Sequence, residues 1–532
     1  MRLTLADLGD GADLACDVCV VGAGAAGITL ALELKGQGLD VVLLEAGGAE
    51  VEDGSQALYA GRAPGLPIEL DWARLRCLGG STNHWGGRSR PFGPEALRPR
   101  PWFAPEGWPL AADDLAAPQA RALELCEIGL APGEDWDAPL AKLEARAFAG
   151  GRLKPGLWRF SPPTAFGERY GKDLDAAPDV RLVLNAPLVG IDLDGGLGRV
   201  VRLRVQNRTG RRATVRPGTV VLAMGGIENP RLLLAQRGQT PDGIGNRHDM
   251  VGRCFMGHPV YEPLTVALAD GVVPPAFLAD RDLPDGRRVE GFLGLTPEAQ
   301  ADLKTGAIDG AFYAGGQFGP PGVKALRRIL REVRQGHFPP NLAGEIGTVA
   351  GDLGGIAREA MLRLGWQGAL NTYTVSILLE QEPNPMSRVR LGDESDALGL
   401  PRVVVDWRLS DRDKATVRTY ARVLAEEVGR VGLGRAYLED WASDESLDFP
   451  QHGNSAHHMG TTRMGNDPRS SVVDPDCRVH GLDNLYVAGS SVFPASGSVH
   501  PTLNLVTLAV RLAGHLKVRL REDRRAASLV GG

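Results

Sequence analysis

The chain has 532 residues, of which 43% are hydrophobic and 23% are charged, and its formal net charge is -6. A chain of this length buries more than one domain's worth of core, and its mild acidity excludes an electrostatic attraction to nucleic acid. No apolar run of about 18 residues occurs in it, so we expect no integral membrane segment.

The first motif is a glycine turn between a strand and a helix. Residues 17–45 read "DVCVVGAGAAGITLALELKGQGLDVVLLE", in which an apolar strand runs into Gly22, Gly24 and Gly27. A helix follows, and a second strand ends at Glu45. Such glycines let backbone N–H groups approach a pyrophosphate at the helix N-terminus, and the carboxylate accepts hydrogen bonds from an adenosine ribose. The unit predicts a dinucleotide site without separating NAD from FAD, because both cofactors carry ADP.

Two further strands followed by glycine turns lie much later in the chain. They read "TVVLAMGGIENPRLLL" at 219–234 and "LDNLYVAGSSVFP" at 482–494. Three such units indicate one sheet that is assembled from distant segments. We expect a discontinuous dinucleotide-binding domain formed by 1–100, 175–260 and 450–522. The remaining stretches are expected to form a second domain, 101–174 and 261–449, and a C-terminal tail, 523–532.

The expected second domain carries the alternating pattern of a mixed or antiparallel sheet. This pattern occurs in "NTYTVSILLEQ" at 371–381 and in "SRVRL" and "RVVVDWRL" between 387 and 409. Within the same domain, "VKALRRILREVRQG" at 323–336 places basic residues between apolar ones at helical spacing. That segment predicts a surface helix, with a helix that docks on a partner or a membrane surface as the alternative.

The six cysteines are scattered along the chain, which favours neither a zinc site nor an iron–sulfur cluster, and we expect no bound metal. The N-terminal stretch "MRLTLADLGDGADLAC" lacks the basic start and apolar run of a secretory signal peptide. The default expectation is therefore a cytoplasmic protein.

Several segments, in the same order, resemble the glucose-methanol-choline (GMC) family of FAD-dependent oxidoreductases. Besides the three strand–glycine units they are "LRCLGGSTNHWGG" at 75–87, "GWPLAADDL" at 107–115, "VGRCFMGHP" at 251–259, "HHMGTTRMG" at 457–465 and the continuation "ASGSVHPTLNLVTLAVRLAGHL" to 516. The resemblance implies an α/β fold. It has a Rossmann-like FAD-binding domain of the glutathione-reductase type, assembled from the discontinuous segments, and a substrate-binding domain whose mixed or antiparallel sheet is flanked by helices. It also implies FAD as cofactor and an alcohol as reductant.

Two adjacent histidines in "HHMGTTRMG" raise the question of which one acts. Side chains of neighbouring residues diverge on a strand or a helix, so at most one of them points into a given site. The family's first active-site histidine lies three residues before the glycine of "GT", and this spacing selects His457 and leaves His458 at a variable position. The family's second position, a His or Asn, is matched by His500, with Asn504 one helical turn further on.

The chemistry of alcohol oxidation supports the same pair. Hydride transfer to flavin N5 requires removal of the hydroxyl proton, and imidazole titrates close enough to neutral pH for that task. A second group must hold the same oxygen so that the C–H bond is aimed at N5. We expect His457 as the general base and His500 as the second group. Core histidines bonded to backbone are the alternative for both, and His458 is expected to be structural.

The loop "GGSTNHWGG" at 79–87 resembles the family's flavin-proximal loop. In the related pyranose oxidases a Thr-His-Trp loop attaches FAD covalently through its histidine, and His84 falls in register with it, although the flanking residues differ. His84 is expected either to hold FAD covalently or to pack beside the flavin edge or the substrate channel. The expected cofactor contacts are Gly22, Gly24, Ala25, Ala26, Gly27, Glu45, Ala46, Gly79, Gly80, Ser81, Asn83, His84, Trp85, Gly86, Leu188, Val189, Ala223, Gly225, Gly489, Ser490, His500, Pro501 and Thr502.

The resemblance implies FAD-dependent oxidation of a primary alcohol, sugar or polyol to an aldehyde or ketone. A non-redox lyase like the hydroxynitrile lyases, which use the same histidine pair, and the catalytic subunit of a multi-subunit sugar dehydrogenase are the alternatives. Because the cysteines are not clustered, electrons are expected to leave the flavin for oxygen, a soluble acceptor or a partner protein. Some relatives are exported with a partner subunit, so a periplasmic location is the alternative to the cytoplasm.

Overall fold

The computed structural model describes the chain except for residues 131–132, 144–147, 149, 273–274, 279, 315–321, 324, 327–328, 331–340, 364–371, 452–455 and 531–532. Most of the basic segment 323–336 lies outside the described residues, so both interpretations of it stay predictions. Among the helices that are described, none is long and apolar enough to cross a lipid bilayer.

The strands are, in chain order, β1 Arg2–Thr4, β2 Ala12–Val21, β3 Val41–Leu44, β4 Gly61–Arg62, β5 Arg88–Ser89, β6 Leu153–Phe160, β7 Val180–Leu184, β8 Leu188–Leu193, β9 Val200–Gln206, β10 Arg212–Leu222, β11 Val260–Leu268, β12 Arg281–Asp282, β13 Arg288–Leu295, β14 Ile308–Ala314, β15 Thr372–Leu379, β16 Arg388–Ser395, β17 Pro401–Asp406, β18 Gly434–Leu438 and β19 Leu485–Val487. The α-helices are α1 Ala25–Leu34, α2 Asp53–Gln56, α3 Pro94–Leu97, α4 Ala112–Leu125, α5 Phe166–Asp175, α6 Gly225–Ala235, α7 Pro297–Leu303, α8 Leu342–Gly351, α9 Leu353–Arg363, α10 Asp411–Arg430, α11 Asp440–Ser443 and α12 Pro501–Val530.

The first sheet carries the three glycine turns. Its order is β1-β7-β3-β2-β10-β9-β8, and β19 also pairs with β10. β10 pairs in parallel with β2, where Val220 lies opposite Cys19, and with β19, where Val220 lies opposite Leu485. The three strands therefore end at one edge of the sheet, and the glycine turns that follow them lie side by side. The predicted Rossmann-like sheet built from distant segments is confirmed.

Helices from two parts of the chain cover this sheet. α12 packs against α1 and α4, and α5 packs against α1 and β7. Leu115, Ala122 and Leu125 of α4 are buried in the same apolar core as Val18 of β2 and Val41 of β3. The helices of the 101–174 stretch therefore pack on the first sheet, whereas β6 of the same stretch joins the second sheet.

The second sheet is antiparallel and has the order β18-β11-β15-β14-β13-β6-β5, with β12 paired to β13. α10 packs against it, and the Tyr420 hydroxyl of that helix donates to the Leu293 carbonyl oxygen at 2.7 Å. Val417, Ala421 and Leu424 complete the buried face of the helix. The predicted antiparallel sheet flanked by helices is confirmed.

The hairpin β16–β17 does not continue the sheet of β15, contrary to the expectation from the sequence. It forms a separate three-stranded sheet with β4 and packs against α6. The reason is a buried polar anchor on α6. The Arg231 guanidinium donates to the Asp396 carboxylate at 2.6 Å and to the Pro401 carbonyl oxygen at 2.8 Å, and both acceptors lie on or beside the hairpin.

Candidate active site

A cavity of about 550 Å³ is lined by residues from both large sheets. The carboxyl ends of β2, β3 and β10 form one part of its wall, and β6, β11, β14 and β15 form another. Most of the residues expected to contact a cofactor or a substrate line it, namely Gly22, Gly24, Ala25, Ala26, Glu45, Ala46, Gly80, Ser81, His84, Trp85, Gly86, Leu188, Ala223, Gly225, His457, Gly489, Ser490, His500, Pro501 and Thr502.

The first glycine turn brings β2 to the N-terminus of α1 at the cavity wall. Gly22 has a φ of 103°, and a Cβ atom there would lie 2.7 Å from the Ala223 carbonyl oxygen. A Cβ atom on Gly27 would lie 1.8 Å from the Gly22 carbonyl oxygen. Both positions exclude any other residue, because the backbone segments touch. Gly24, the N-cap residue of α1, faces open space, as a pyrophosphate at the helix N-terminus requires.

Glu45 ends β3 at the same wall. One carboxylate oxygen accepts from the Ala23 backbone N–H at 2.8 Å, and the other accepts from the Gly47 backbone N–H at 2.8 Å. Burial raises the pKa of this carboxyl group, and these two hydrogen bonds act in the opposite direction. Each oxygen keeps a second lone-pair direction, so the side chain is suited to accept from ribose hydroxyls.

Four of the expected cofactor contacts do not line the cavity: Gly27, Gly79, Asn83 and Val189. Gly27 packs against the Gly22 backbone instead. The backbone N–H of Gly79 donates to the Ala23 carbonyl oxygen at 2.8 Å, which joins the flavin-proximal loop to the first glycine turn. The Asn83 amide donates to the Leu78 carbonyl oxygen at 3.0 Å and so stabilises its own loop.

His84 lies on the cavity wall with its ring 6.1 Å from that of Trp72, measured between centroids. Partial burial lowers the pKa of this imidazole. Its ring nitrogens make no hydrogen bond to the described residues, so the side chain is available to a cofactor in the cavity. This placement suits both alternatives, the covalent attachment and the contact at the flavin edge.

His457 is held by a third histidine. Its Nδ1 lies 2.8 Å from Nδ1 of His258, and Nε2 of His258 lies 2.8 Å from the Gly497 carbonyl oxygen. A carbonyl oxygen only accepts, so Nε2 of His258 carries a proton. Burial lowers the pKa of His258 to about 4, which keeps this ring neutral and makes its Nδ1 an acceptor. His457 must then donate from Nδ1, and its Nε2 is left with a free lone pair.

The ring of His457 faces that of His500. Their centroids lie 5.3 Å apart with an interplanar angle of 83°. Burial lowers the pKa of both rings well below the usual value, with His258 adding to the effect on His457 and the Arg88 charge adding to the effect on His500. Both imidazoles are therefore neutral at neutral pH. One basic nitrogen and one second hydrogen-bonding ring can act on a single oxygen between them.

His458 also lines the cavity, whereas Asn504 does not. The His458 ring is buried and stacks on Phe255 at 5.9 Å between centroids, and burial lowers its pKa to about 3. The Asn504 side chain accepts from the Phe92 backbone N–H at 3.0 Å and donates to the Arg90 carbonyl oxygen at 3.0 Å. It therefore ties the start of α12 to the 90–92 segment.

The chain is similar to known proteins over most of its length. A family model described as FAD dependent oxidoreductase matches residues 17–241, and one described as GMC oxidoreductase matches residues 383–509. The chain is 28% identical to paromamine 6'-oxidase of Streptomyces fradiae over 94% of this chain and 91% of that protein. It is 25% identical to 2-methyl-1,2-propanediol dehydrogenase of Mycolicibacterium austroafricanum over 95% of this chain and 96% of the relative.

The chain belongs to the GMC oxidoreductases. It is an FAD-dependent enzyme that oxidises CH–OH groups. Formate oxidase of Aspergillus oryzae has the same fold, with a TM-score of 0.59, 17% identity and coverage of 97% of this chain and 100% of that one. The glycine turn at Gly22 and the carboxylate of Glu45 fit the ADP part of the cofactor.

Sequence reasoning did not single out His258, the histidine that contacts His457. The histidine lies in "VGRCFMGHP", a segment with family resemblance, but 199 residues separate it from His457. Its surroundings are braced by two neighbouring polar side chains. Gln381 accepts from the Gly257 backbone N–H at 2.9 Å, and the buried Glu380 accepts from the Gly497 backbone N–H at 3.1 Å. A third histidine inside a recognised motif was the signal that could have found it.

Proposed function

We propose that this GMC oxidoreductase converts a primary alcohol, sugar or polyol to an aldehyde or ketone, with His457 as the general base. The hydrogen-bonded series His457, His258 and the Gly497 carbonyl carries the proposal. In this series His457 donates from Nδ1, so the lone pair on its Nε2 is free at the cavity, next to His500. A base whose free nitrogen is fixed by its neighbours needs no reorganisation before it takes a proton.

The proton follows a defined path in this proposal. The substrate hydroxyl proton passes to His457 Nε2, and the imidazolium that forms keeps its Nδ1–H bond to His258. His500 holds the same substrate oxygen and so fixes which way the C–H bond points. Bound FAD supplies the hydride acceptor. The lowered pKa of His457 keeps the base unprotonated at neutral pH, before substrate arrives.

Anaerobic addition of alcohols tests the proposal. Purified protein with bound FAD should lose its flavin colour on mixing with an oxidisable alcohol in the absence of oxygen, because hydride transfer reduces the flavin. The panel should contain simple primary alcohols, diols, and neutral and charged sugars. If every member leaves the flavin oxidised while a cyanohydrin is cleaved, the non-redox lyase alternative takes its place.

Acid precipitation of the same preparation decides between the two alternatives for His84. Flavin that remains in the protein pellet supports a covalent bond, and the bond should then be absent in His84→Ala. Flavin that appears in the supernatant leaves His84 as a non-covalent contact at the flavin edge.

A further inference from the structure

A polar cluster on the second sheet lines the substrate end of the cavity. Arg88 of β5 donates to the Glu290 carboxylate of β13 through Nε at 2.5 Å and through Nη2 at 3.1 Å. Nη2 of Arg88 also lies 3.0 Å from the Tyr313 hydroxyl of β14, and that hydroxyl donates to Glu290. Three strands thus hold one guanidinium in a single orientation, and the charges of Arg88 and Glu290 balance.

The cluster leaves hydrogen-bond donors unused on the cavity side. Glu290 is 2% exposed, whereas the Arg88 side chain is 26% exposed and lines the cavity. Nη1 of Arg88 makes no hydrogen bond to any described residue, so its two N–H groups are available to a ligand. Because Nε and Nη2 are already fixed, a ligand oxygen bound at Nη1 loses little to reorganisation.

The cluster lies close to the histidine pair. The ring of Trp158 lies 5.4 Å from His500 between centroids, and the Arg88 guanidinium carbon lies 5.8 Å from the same indole ring. His500, the proposed second catalytic histidine, and the Arg88 cluster therefore both lie next to Trp158. If Arg88 binds an oxygen other than the one held by His457 and His500, the substrate carries at least two oxygens.

The charges around the cavity add a second constraint. The described carboxylates in its wall are Glu45, Glu228 and Asp396, and each accepts hydrogen bonds from backbone N–H groups or from Arg74 and Arg231. None of them belongs to the second sheet beside Trp158. Glu290 lies next to Arg88 but is already paired with it, so an ammonium group placed beside Arg88 would be desolvated without a carboxylate of its own.

We infer that the Arg88–Glu290–Tyr313 cluster selects neutral polyhydroxylated substrates such as sugars, by donating from Arg88 Nη1 to a second substrate oxygen, and that it disfavours substrates with an ammonium group there. The inference rests on the proposed alcohol oxidation. The name of paromamine 6'-oxidase suggests an amine as the substrate of that relative, and the inference predicts a different substrate class for this chain. A carboxylate gains little at this site, because Glu290 already neutralises the guanidinium.

Matched sugars test the inference through the concentration dependence of anaerobic flavin reduction. Glucose, N-acetylglucosamine, glucosamine and glucuronate differ at single positions, and galactose counterparts, paromamine and benzyl alcohol complete the panel. We expect the neutral sugars to bind more tightly than their ammonium counterparts by about 10-fold or more. Equal or tighter binding of glucosamine relative to N-acetylglucosamine, or a preference for paromamine, overturns the inference.

Substitutions in the cluster test whether its residues cause the preference for neutral sugars. Arg88→Met should weaken apparent binding of the neutral sugars by about 10- to 100-fold, the worth of one hydrogen bond to a charged group, with a smaller change in the limiting rate of reduction. Glu290→Gln should strengthen the binding of glucuronate relative to that of glucose by about 10-fold, since it leaves the guanidinium charge uncompensated. Arg288→Met is the matched control, because Arg288 lies on the same sheet but pairs with Asp280 away from the cavity.

The outcomes separate this inference from the proposed function. Reduction by benzyl alcohol and by none of the sugars keeps alcohol oxidation and overturns the inference. Reduction by no alcohol at all overturns the proposed function itself. If Arg88→Met loses its FAD or its fold, Arg88→Lys replaces it and should bind neutral sugars more weakly than the unmodified enzyme. Unchanged binding in Arg88→Lys and unchanged sugar preference in Glu290→Gln contradict the inference.

Discussion

At the scale of single residues, the tautomer of His457 depends on His258. An isolated histidine places its proton on either ring nitrogen, and only a neighbour with fixed donor and acceptor roles selects one. Here the Gly497 carbonyl oxygen fixes the His258 proton, and His258 in turn fixes the His457 proton. In the proposed mechanism this arrangement takes the orienting task that a carboxylate performs in other base-containing sites, but without adding a negative charge.

The first prediction concerns His457. His457→Ala should slow anaerobic flavin reduction by about 100- to 10,000-fold, because general base catalysis is typically worth that much. Rapid mixing of the oxidised enzyme with substrate measures the rate directly. His458→Ala is the matched control, since its ring stacks on Phe255, and it should cost little. If the His458 variant loses reduction while the His457 variant keeps it, both with FAD bound, the assignment is wrong by one residue.

The second prediction concerns His500. His500→Asn should retain more activity than His500→Ala, because the amide still donates to the substrate oxygen whereas the methyl group leaves that oxygen unsupported. The limiting rate of flavin reduction should fall in the order wild type, Asn, Ala. Thr507→Ala, which changes a buried residue two turns further along α12, controls for effects on the helix. Equal rates for the Asn and Ala variants would contradict a hydrogen-bonding role.

At the scale of secondary-structure elements, the β2–α1–β3 unit brings backbone donors and one carboxylate to the cavity. Glu45 has two tasks there. It accepts from the backbone N–H groups of Ala23 and Gly47, and it is placed to accept from a ribose. The glycine turn and the acidic side chain thus stabilise each other before any cofactor binds.

The third prediction follows from these two tasks. Glu45→Ala should weaken FAD binding by about 10- to 100-fold, since the ribose acceptor is lost and two buried N–H groups lose their partner. Glu45→Gln keeps one carbonyl acceptor and should fall between Ala and wild type. The ratio of flavin to protein after gel filtration measures retention. Glu33→Ala is the control, because Glu33 lies on α1 and pairs with Arg121 and Lys517 away from the cavity. Full retention in Glu45→Ala would remove the ribose role.

At the scale of the whole molecule, folding buries several neutral histidines where the two large sheets meet. Burial lowers the pKa of His258 to about 4 and that of His458 to about 3. In the unfolded chain these groups titrate near the ordinary value of 6.5. The folded state therefore binds fewer protons than the unfolded state between those values. The stability that each histidine contributes is present above pH 6.5 and is lost as the pH falls toward the folded pKa.

The fourth prediction tests this linkage with His458→Asn. Lowering the pH from 7.5 to 5 should destabilise the wild type relative to the variant by about 2 kcal/mol, since protonation of one unfolded histidine is worth that much at pH 5. Urea unfolding of the FAD-bound protein at both pH values gives the difference. His248→Asn, at an exposed histidine, is the control. An identical difference between wild type and His458→Asn at both pH values contradicts the assigned burial.

Local interactions determined what the sequence by itself could show. The spacing of Gly22, Gly24 and Gly27, the apolar strands before each glycine turn, and the alternation of residues 372–379 are short-range patterns, so they predicted the parallel sheet, the antiparallel sheet and the dinucleotide site. His457 followed from a family spacing within "HHMGTTRMG", and His500 followed from the family's second position in the segment before the last helix. Each of these predictions needed only a few neighbouring residues.

Tertiary structure alone decided which side chains meet. The partner of His457 lies 199 residues away, and the anchor of the β16–β17 hairpin, Arg231, lies 165 residues before Asp396. The partners of Arg88, Glu290 and Tyr313, come from other strands of the second sheet. Periodicity shows which face of a strand is buried but not which distant side chain it will face. That pairing is decided by strand order and by the packing of the two sheets, because hydrogen bonds act only over a few ångströms.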